Sequence, residues 1–420
     1  MFIRSTQRCR RCLPIRFFNS SSTPLSLSEE VSILVNEYSL KPQTSVSLQT
    51  LFRTGRGELL ENFDRNGGEA KSARYSSSPE VLMQVANFIH HELPIRLARR
   101  IKDLNDVPYL SDMSSVQAVK DIYISSFLSL VQEPTIDSPV REALFARKLE
   151  LLYERHSSVL VQMAKGAFEF RQMLKNKEIS SLEGEAFELM NDTHAFLDRF
   201  YMSRIGIRVL AGQYLALREP TMEGYIGLID QHTSPYGILK KAAMDSSYMC
   251  ENMFGSFPEV VISGKLDLTF PYIPTQLHYI LLELLKNAMR ATVEYHGNDP
   301  RMWPPIEVVI ADGHNNEDIV IKISDEGGGI PRSNRKKIWS YLFTTVKPEI
   351  QKALMYGNDD ELVDHSVHAP LAGLGYGLPI SKSYARYFGG DLSIESLDGY
   401  GSDAFVHLRR LGDSLEPLPF

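Results

Sequence analysis

The 420 residues are 43% hydrophobic and 23% charged with a formal net charge of −7, the profile of a globular chain rather than a disordered or collagen-like one. Single cores stop growing at about 250–300 residues, so more than one domain is expected. No run of about 18 uncharged apolar residues occurs, which argues against a membrane-spanning helix.

Residues 1–28 stand apart. Arg4, Arg8, Arg10, Arg11 and Arg16 lie among Ser and Thr, and the first acid is Glu29. An Arg-rich, Ser-rich, acid-free start has the composition of a mitochondrial transit peptide; a basic nucleic-acid arm is the alternative. Without those five arginines the net charge of −7 becomes −12, and an acidic body does not suit sequence-independent nucleic-acid binding. Cys9 and Cys12 form a C-x-x-C inside this segment, no second pair completes a zinc site, and only Cys250 remains beyond it. Neither a disulfide framework nor a zinc site is inferred.

Residues 29–80 form a lead-in segment. From residue 81 to 220 apolar residues recur three and four apart, most clearly at Val116, Val119, Ile122, Tyr123, Phe127, Leu130 and Val131. Helical stretches near 81–104, 115–132, 139–175 and 186–217 predict an antiparallel four-helix bundle. After Arg218-Glu219-Pro220 the texture changes to short β-rich runs at Tyr225–Ile229, Glu259–Ile262, Leu268–Ile273, Ile306–Ile310 and Ile319–Ile323, alternating with helices. The expectation is a second domain over 221–412, with helices covering one face of a mixed sheet, followed by a short tail, 413–420.

Within that domain a helix from about Thr275 to Glu294 places Glu283, Lys286, Asn287 and Arg290 at i, i+3, i+4 and i+7, on one face, with leucines on the other. A solvated charged stripe has the same pattern. A β run then meets Asp325-Glu326-Gly327-Gly328-Gly329, an acid followed by glycines that admit a ligand close to the backbone. Such a carboxylate can accept a hydrogen bond from an exocyclic amine like that of adenine, although a simple Gly-rich turn also reads this way. Gly373-Leu374-Gly375-Tyr376-Gly377-Leu378 opens a third segment, where glycines at a helix start expose N–H groups and a positive dipole end to phosphate. No βαβ unit surrounds it, so a dinucleotide fingerprint fits poorly.

In this order, an Asn helix, D-x-G-x-G and G-x-G-x-G resemble the N, G1 and G2 boxes of the GHKL ATPases, with Gly399-Tyr400-Gly401-Ser402 at the closing strand. The implied fold is α + α/β: a four-helix bundle followed by a GHKL, Bergerat-type α/β sandwich. The resemblance implies ATP and Mg²⁺ as cofactors. Asn287 would ligate Mg²⁺, Asp325 would hold adenine, and Gly327 and Gly329 would shape its pocket. Gly373, Gly375 and Gly377 would close on the phosphates, Glu283, Arg290, Leu374, Tyr376 and Leu378 would also belong to the ATP site, and Thr344 and Thr345 would form the hydroxyl-bearing lid edge.

His91-Glu92-Leu93-Pro94-Ile95-Arg96-Leu97-Ala98, Phe196-Leu197-Asp198-Arg199-Phe200-Tyr201, Ser203-Arg204-Ile205-Gly206-Ile207-Arg208 and Pro370-Leu371-Ala372-Gly373 narrow the likeness. They resemble the mitochondrial pyruvate dehydrogenase kinases and their branched-chain 2-oxo-acid dehydrogenase relatives, from about residue 46 to 410. That resemblance implies a serine protein kinase of the mitochondrial matrix that acts on the E1 α subunit of a 2-oxo-acid dehydrogenase and inactivates the complex. It further implies docking of the bundle on a lipoyl domain of the E2 core, and a homodimer. Signatures of the common Ser/Thr kinases are absent. Glu283 is the candidate general base, one helical turn from Asn287, with Lys286 beside it, and His156 matches the family's bundle histidine that contacts this Glu; a surface histidine is the plain alternative.

The rivals are a histidine autokinase using His91, which Pro94 disfavours, a non-kinase GHKL ATPase, and a dead scaffold, which the intact Glu283, Lys286 and Asn287 disfavour. Residues 346–369 are expected to form a polar lid. The short tail resembles the branched-chain enzymes and Tyr384-Ala385-Arg386-Tyr387-Phe388 the pyruvate enzymes; pyruvate dehydrogenase is the favoured target.

Overall fold

The computed structural model describes residues 29–57, 78–176, 186–220, 222–297, 299–313, 318–345, 351, 373–410 and 414–418. The expected transit peptide with its C-x-x-C, most of the expected lid and Pro370-Leu371-Ala372 lie outside the described residues. No helix among the described residues is long and apolar enough to cross a membrane.

The helical half consists of α1 (Glu29–Ser39), α2 (Leu48–Gly55), α3 (Pro79–Asp106), α4 (Ser114–Val131), α5 (Pro139–Arg155), α6 (Val159–Lys175) and α7 (Asn191–Arg218). Helix starts follow local chemistry. Ser78 and Ser138 accept hydrogen bonds from the backbone N–H groups of Val81 and Arg141, and Pro79 and Pro139 stand at the first turn where a missing N–H costs nothing. Helix α3 packs against α4, α7, α5 and α1, and α4 packs against α6. The structure corrects the single stretch 139–175: a 3-10 turn, His156–Ser158, divides it into α5 and α6. The lead-in segment also contributes more than an extended approach, since α1 and α2 pack on α3.

The second half begins with a small sheet, β1 (Tyr225–Ile226), β2 (Ile229–Thr233) and β4 (Phe270–Tyr272), so the predicted run Tyr225–Ile229 is a hairpin rather than one strand. The main sheet has the order β3 (Val260–Gly264), β5 (Ile306–Asp312), β6 (Asp318–Asp325), β8 (Gly401–Arg409), β7 (Asp391–Leu397). It is mixed: β3 and β5 run parallel and the other pairs antiparallel. Alternation sets the buried face, with Ile306, Val308 and Ile310 on β5 and Ile319, Ile321 and Ile323 on β6 all inward. Among the described residues, helices α8 (Pro235–Phe254), α9 (Pro274–His296) and α10 (Gly377–Tyr387) belong to this half, with α9 against β5 and β6 and α10 against β7 and β8.

The two halves interpenetrate. Tyr341, Leu342, Leu374, Tyr376 and Ile380 join the core of the helical bundle. Conversely, Val46, Leu51, Phe52, Ile205, Val209 and Leu210 join the core beneath the sheet. The loops around the third glycine motif are therefore packed directly onto bundle helices, chiefly α7.

Candidate active site

Helix α9 presents its leucines inward: Leu277, Leu281, Leu284 and Leu285 are all buried, while Asn287 is exposed and Lys286 and Arg290 are half-buried. The predicted polar face is present with one difference. Glu283 is only 4% exposed, because the first turn of α10 covers it. A Cβ built on Gly377 would fall on Oε2 of Glu283, so this glycine lets the start of α10 approach the carboxylate. The other carboxylate oxygen accepts a hydrogen bond from Lys286 Nζ at 2.6 Å, which neutralises and orients it.

The third glycine motif alternates. Gly373, Gly375 and Gly377 are half-exposed, whereas Leu374 is 2% and Tyr376 is 0% exposed. The Leu374 and Tyr376 side chains face the bundle core, Tyr376 against Tyr201 and Tyr341 at 5.9 and 5.3 Å, so only their backbone can serve a nucleotide. Gly373 and Gly375 sit at φ +75° and +80°, values that a side chain would strain. Tyr376, the residue preceding α10, makes no side-chain cap, which leaves the first N–H groups of α10 to other acceptors. Leu378 is half-buried, packed against the core beneath the sheet.

Asp325 ends β6 opposite Ser402 on β8. Its Oδ1 accepts the Gly327 N–H at 2.9 Å. Burial pushes its carboxyl up to about 6, opposed by the hydrogen bonds from the backbones of Gly327 and Ser402. Gly327 lies against α9, where a Cβ would meet Ala291 Cβ at 2.5 Å and Thr292 N at 2.8 Å, and Gly329 (φ +72°) lies against the backbone of Leu397. Both glycines are thus close-packed, Gly327 on the Ala291–Thr292 turn of α9 and Gly329 on the Leu397 backbone. Arg290 donates from Nη2 to Thr345 Oγ1 at 3.3 Å and from Nε to Glu294, tying α9 to the exposed Thr345, with Thr344 half-buried beside it.

Mg²⁺ fits this arrangement. It takes few ligands from protein and the rest from phosphate and water. The Asn287 amide is exposed and makes no hydrogen bond among the described residues, and no cluster of three or more His, Cys, Asp or Glu competes there among them.

His156 is placed differently from expectation. It lies in the bundle, 7% exposed, with Nε2 at 2.9 Å from Ser126 Oγ and its ring 4.9 Å from that of Tyr123. Burial, followed by Arg204, Arg208 and Arg155, pushes the imidazole down to about 3, so it is neutral. Its carbonyl accepts from Arg204 Nη2. The expected contact with Glu283 is not among the described hydrogen bonds: Nε2 lies against Ser126, and the charges acting on the ring are those of Arg204, Arg208 and Arg155. His91, the alternative acceptor, is exposed on α3.

Residues 272–411 match the model of histidine kinase-, DNA gyrase B- and HSP90-like ATPases, and residues 69–230 match the model of the mitochondrial branched-chain alpha-ketoacid dehydrogenase kinase. A mitochondrial pyruvate dehydrogenase (acetyl-transferring) kinase of Arabidopsis thaliana is 40% identical over 398 residues, covering 94% of this chain and 97% of the relative. The chain belongs to the pyruvate dehydrogenase kinase family. The corresponding Schizosaccharomyces pombe kinase is 35% identical over 462 residues, with 94% and 98% covered, and human isozyme 4 is 36% identical over 373 residues, with 83% and 85% covered. This kinase therefore uses ATP on a GHKL domain, as the glycine motifs implied.

Three features in and around this site are not legible as such in the sequence motifs. Tyr279 sits one turn before Glu283 and packs its ring, tilted by 56°, 5.2 Å from that of Tyr384 of α10; burial and the Glu283 charge push its hydroxyl far up. Arg171 of α6 donates to the Leu342 carbonyl at 3.0 Å, and Leu342 N donates to the Gly375 carbonyl, so a bundle helix holds the backbone of the Gly373–Gly377 loop. Glu416 enters the core from the segment expected to be a mere tail. The i−4 spacing of Tyr279 from Glu283 was a usable signal; the other two are contacts across long sequence separations.

Proposed function

We propose that this kinase transfers the γ-phosphoryl group of Mg-ATP to serine on the E1 α subunit of pyruvate dehydrogenase in the mitochondrial matrix and thereby inactivates the complex. The observation that carries the reading is the Glu283 carboxylate, buried, held by Lys286, facing the first residue of the phosphate-loop helix and one turn from Asn287. In the proposed reaction the exocyclic amine of adenine donates a hydrogen bond to Asp325, and the phosphates accept from the N–H groups at the start of α10. Asn287 would hold Mg²⁺, which when bound neutralises charge on the β- and γ-phosphates. Glu283 accepts the serine proton as the serine oxygen bonds to the γ-phosphorus and the bridging oxygen leaves with ADP. His156, neutral and bonded to Ser126, takes no proton in this scheme. Docking of the helical half on an E2 lipoyl domain and a homodimer complete the proposal by family likeness.

The test offers the full-length protein and Mg-ATP to purified pyruvate dehydrogenase complex and, in parallel, to the branched-chain complex. Acid-stable phosphoserine on the E1 α subunit of the pyruvate complex, with loss of its activity, supports the reading. Phosphorylation of the branched-chain complex alone overturns the substrate, and acid-labile phosphate on His91 overturns the chemistry.

A further inference from the structure

Glu416, within residues 414–418, is anchored in the fold while its neighbours Leu415 and Pro417 stay exposed. Leu415 bridges to Ser47, Glu416 N donates to the Val46 carbonyl at 3.0 Å, and Ser45 Oγ donates to the Glu416 carbonyl at 2.8 Å. The Glu416 side chain, 4% exposed, then enters a space shared by three helices. Its carboxylate accepts from both terminal nitrogens of Arg96 on α3, from Tyr387 Oη on α10 at 2.6 Å and from Val46 N at 3.1 Å. Arg96 is 1% exposed and donates its Nε to Glu92 at 2.9 Å and a terminal nitrogen to the Thr44 carbonyl. Burial works against the Arg96 charge, but the Glu416 carboxylate more than restores it. On the third side stands Gly206 of α7. A Cβ there would lie 2.7 Å from Arg96 Nη1, 2.8 Å from Glu416 Oε2 and 3.3 Å from Tyr387 Oη, so the cluster has no room for a larger residue.

A buried carboxylate with four donors is costly to form without those donors, and each bond fixes one element. The elements fixed here are α3 of the bundle and the last residue of α10. The first residue of α10 is Gly377, against Glu283, and the Tyr384 ring of α10 packs at a tilt against Tyr279, one turn from Glu283. An 11-residue helix is a rigid rod of about 16 Å, so holding its end at Tyr387 fixes the direction of the N–H groups at its start.

We propose that Glu416 is a positioning residue for ATP: through Tyr387 it locks α10 against Arg96 of the bundle and so sets the phosphate-binding N-terminus of that helix. The inference rests on the assignment of the Gly373–Gly377 loop to phosphate. Glu416 touches no reacting atom.

The experiment uses the full-length protein and three variants, Glu416→Gln, Tyr387→Phe and the pair, with ATP dissociation read by fluorescent-nucleotide displacement and steady-state kinetics on the dehydrogenase complex. Expected are a rise of about fivefold or more in the ATP dissociation constant and in KM for ATP, the low end of site-to-site coupling. KM for the protein substrate should stay unchanged, and the double variant should be no worse than the poorer single one. A merely structural role would lower the melting temperature and the active fraction, hence the apparent kcat, with KM for ATP unchanged; that result overturns the proposal. Should Glu416→Gln not fold, Tyr387→Phe alone decides, since it removes one hydroxyl at the far end of α10. ATP binding by the wild-type protein, abolished in Asn287→Ala, checks the site itself separately.

Discussion

Replacing Asp325 by Asn keeps the size of the side chain and changes what it can offer. One carboxylate oxygen already accepts the Gly327 N–H at 2.9 Å. In the Asp325→Asn variant the single carboxamide oxygen is claimed by that N–H, which leaves the NH₂ group facing the adenine amine, donor against donor. A hydrogen bond to a charged group contributes about 1.5–3 kcal/mol, so ATP affinity should fall about 10- to 150-fold. Because burial holds the Asp325 carboxyl at about 6, the wild-type protein should also bind ATP roughly tenfold more weakly at pH 5 than at pH 7.5, as the fraction ionised falls. The variant should lack that component. Stability moves the other way. With the folded value raised above the ordinary 3.8, ionisation of Asp325 costs stability as pH rises through the interval from 3.8 to about 6, so the neutral carboxamide should leave the nucleotide-free protein at least as stable at pH 7.5. The assay is fluorescence titration with ATP for both proteins at both pH values, alongside urea unfolding at pH 7.5. An affinity within twofold of wild type, with the same pH dependence, would refute the assignment of Asp325 to adenine.

His156 gives the opposite linkage. Its folded value near 3 lies below the ordinary 6.5, so only the unfolded chain gains a proton as pH falls through 6.5. Relative to His156→Gln, the wild type should lose about 1.4 kcal/mol between pH 7.5 and 5.5 in urea unfolding; equal losses would show that the histidine is not buried neutral. Gly377→Ala drives a methyl into the Glu283 carboxylate. Phosphoryl transfer should drop by about a hundredfold with circular dichroism unchanged, and a near-normal rate would mean that α10 does not lie against Glu283 during catalysis.

What the sequence could and could not convey follows from the range of each interaction. The polar stripe of α9 and the glycines of the second and third motifs are local patterns, and the helix and turns they predict are present. The division of 139–175 at His156 was invisible because apolar periodicity continues through Val159 and Met163. The burial of Glu283 could not be read from α9, since its cover comes from Gly377, 94 positions later in the numbering. Leu374 and Tyr376 were assigned with their glycine neighbours, yet their side chains belong to the bundle core, because a loop that alternates small and large residues presents opposite faces to ligand and protein. His156 followed family likeness toward Glu283, whereas Ser126, 30 residues earlier in the chain, holds its ring. Glu416 and Arg96 are 320 residues apart, a separation at which no periodic pattern carries information.

The central claim is that Glu283 removes the serine proton while ATP is held by the glycine loops and Asn287. Single-turnover transfer from Mg-ATP to the dehydrogenase complex, measured beside ATP affinity for wild type, Glu283→Gln and Asn287→Ala, tests it directly. Glu283→Gln should bind ATP normally and transfer phosphate about 10²- to 10⁴-fold more slowly, while Asn287→Ala should lose Mg-ATP binding. Wild-type transfer by Glu283→Gln would contradict it.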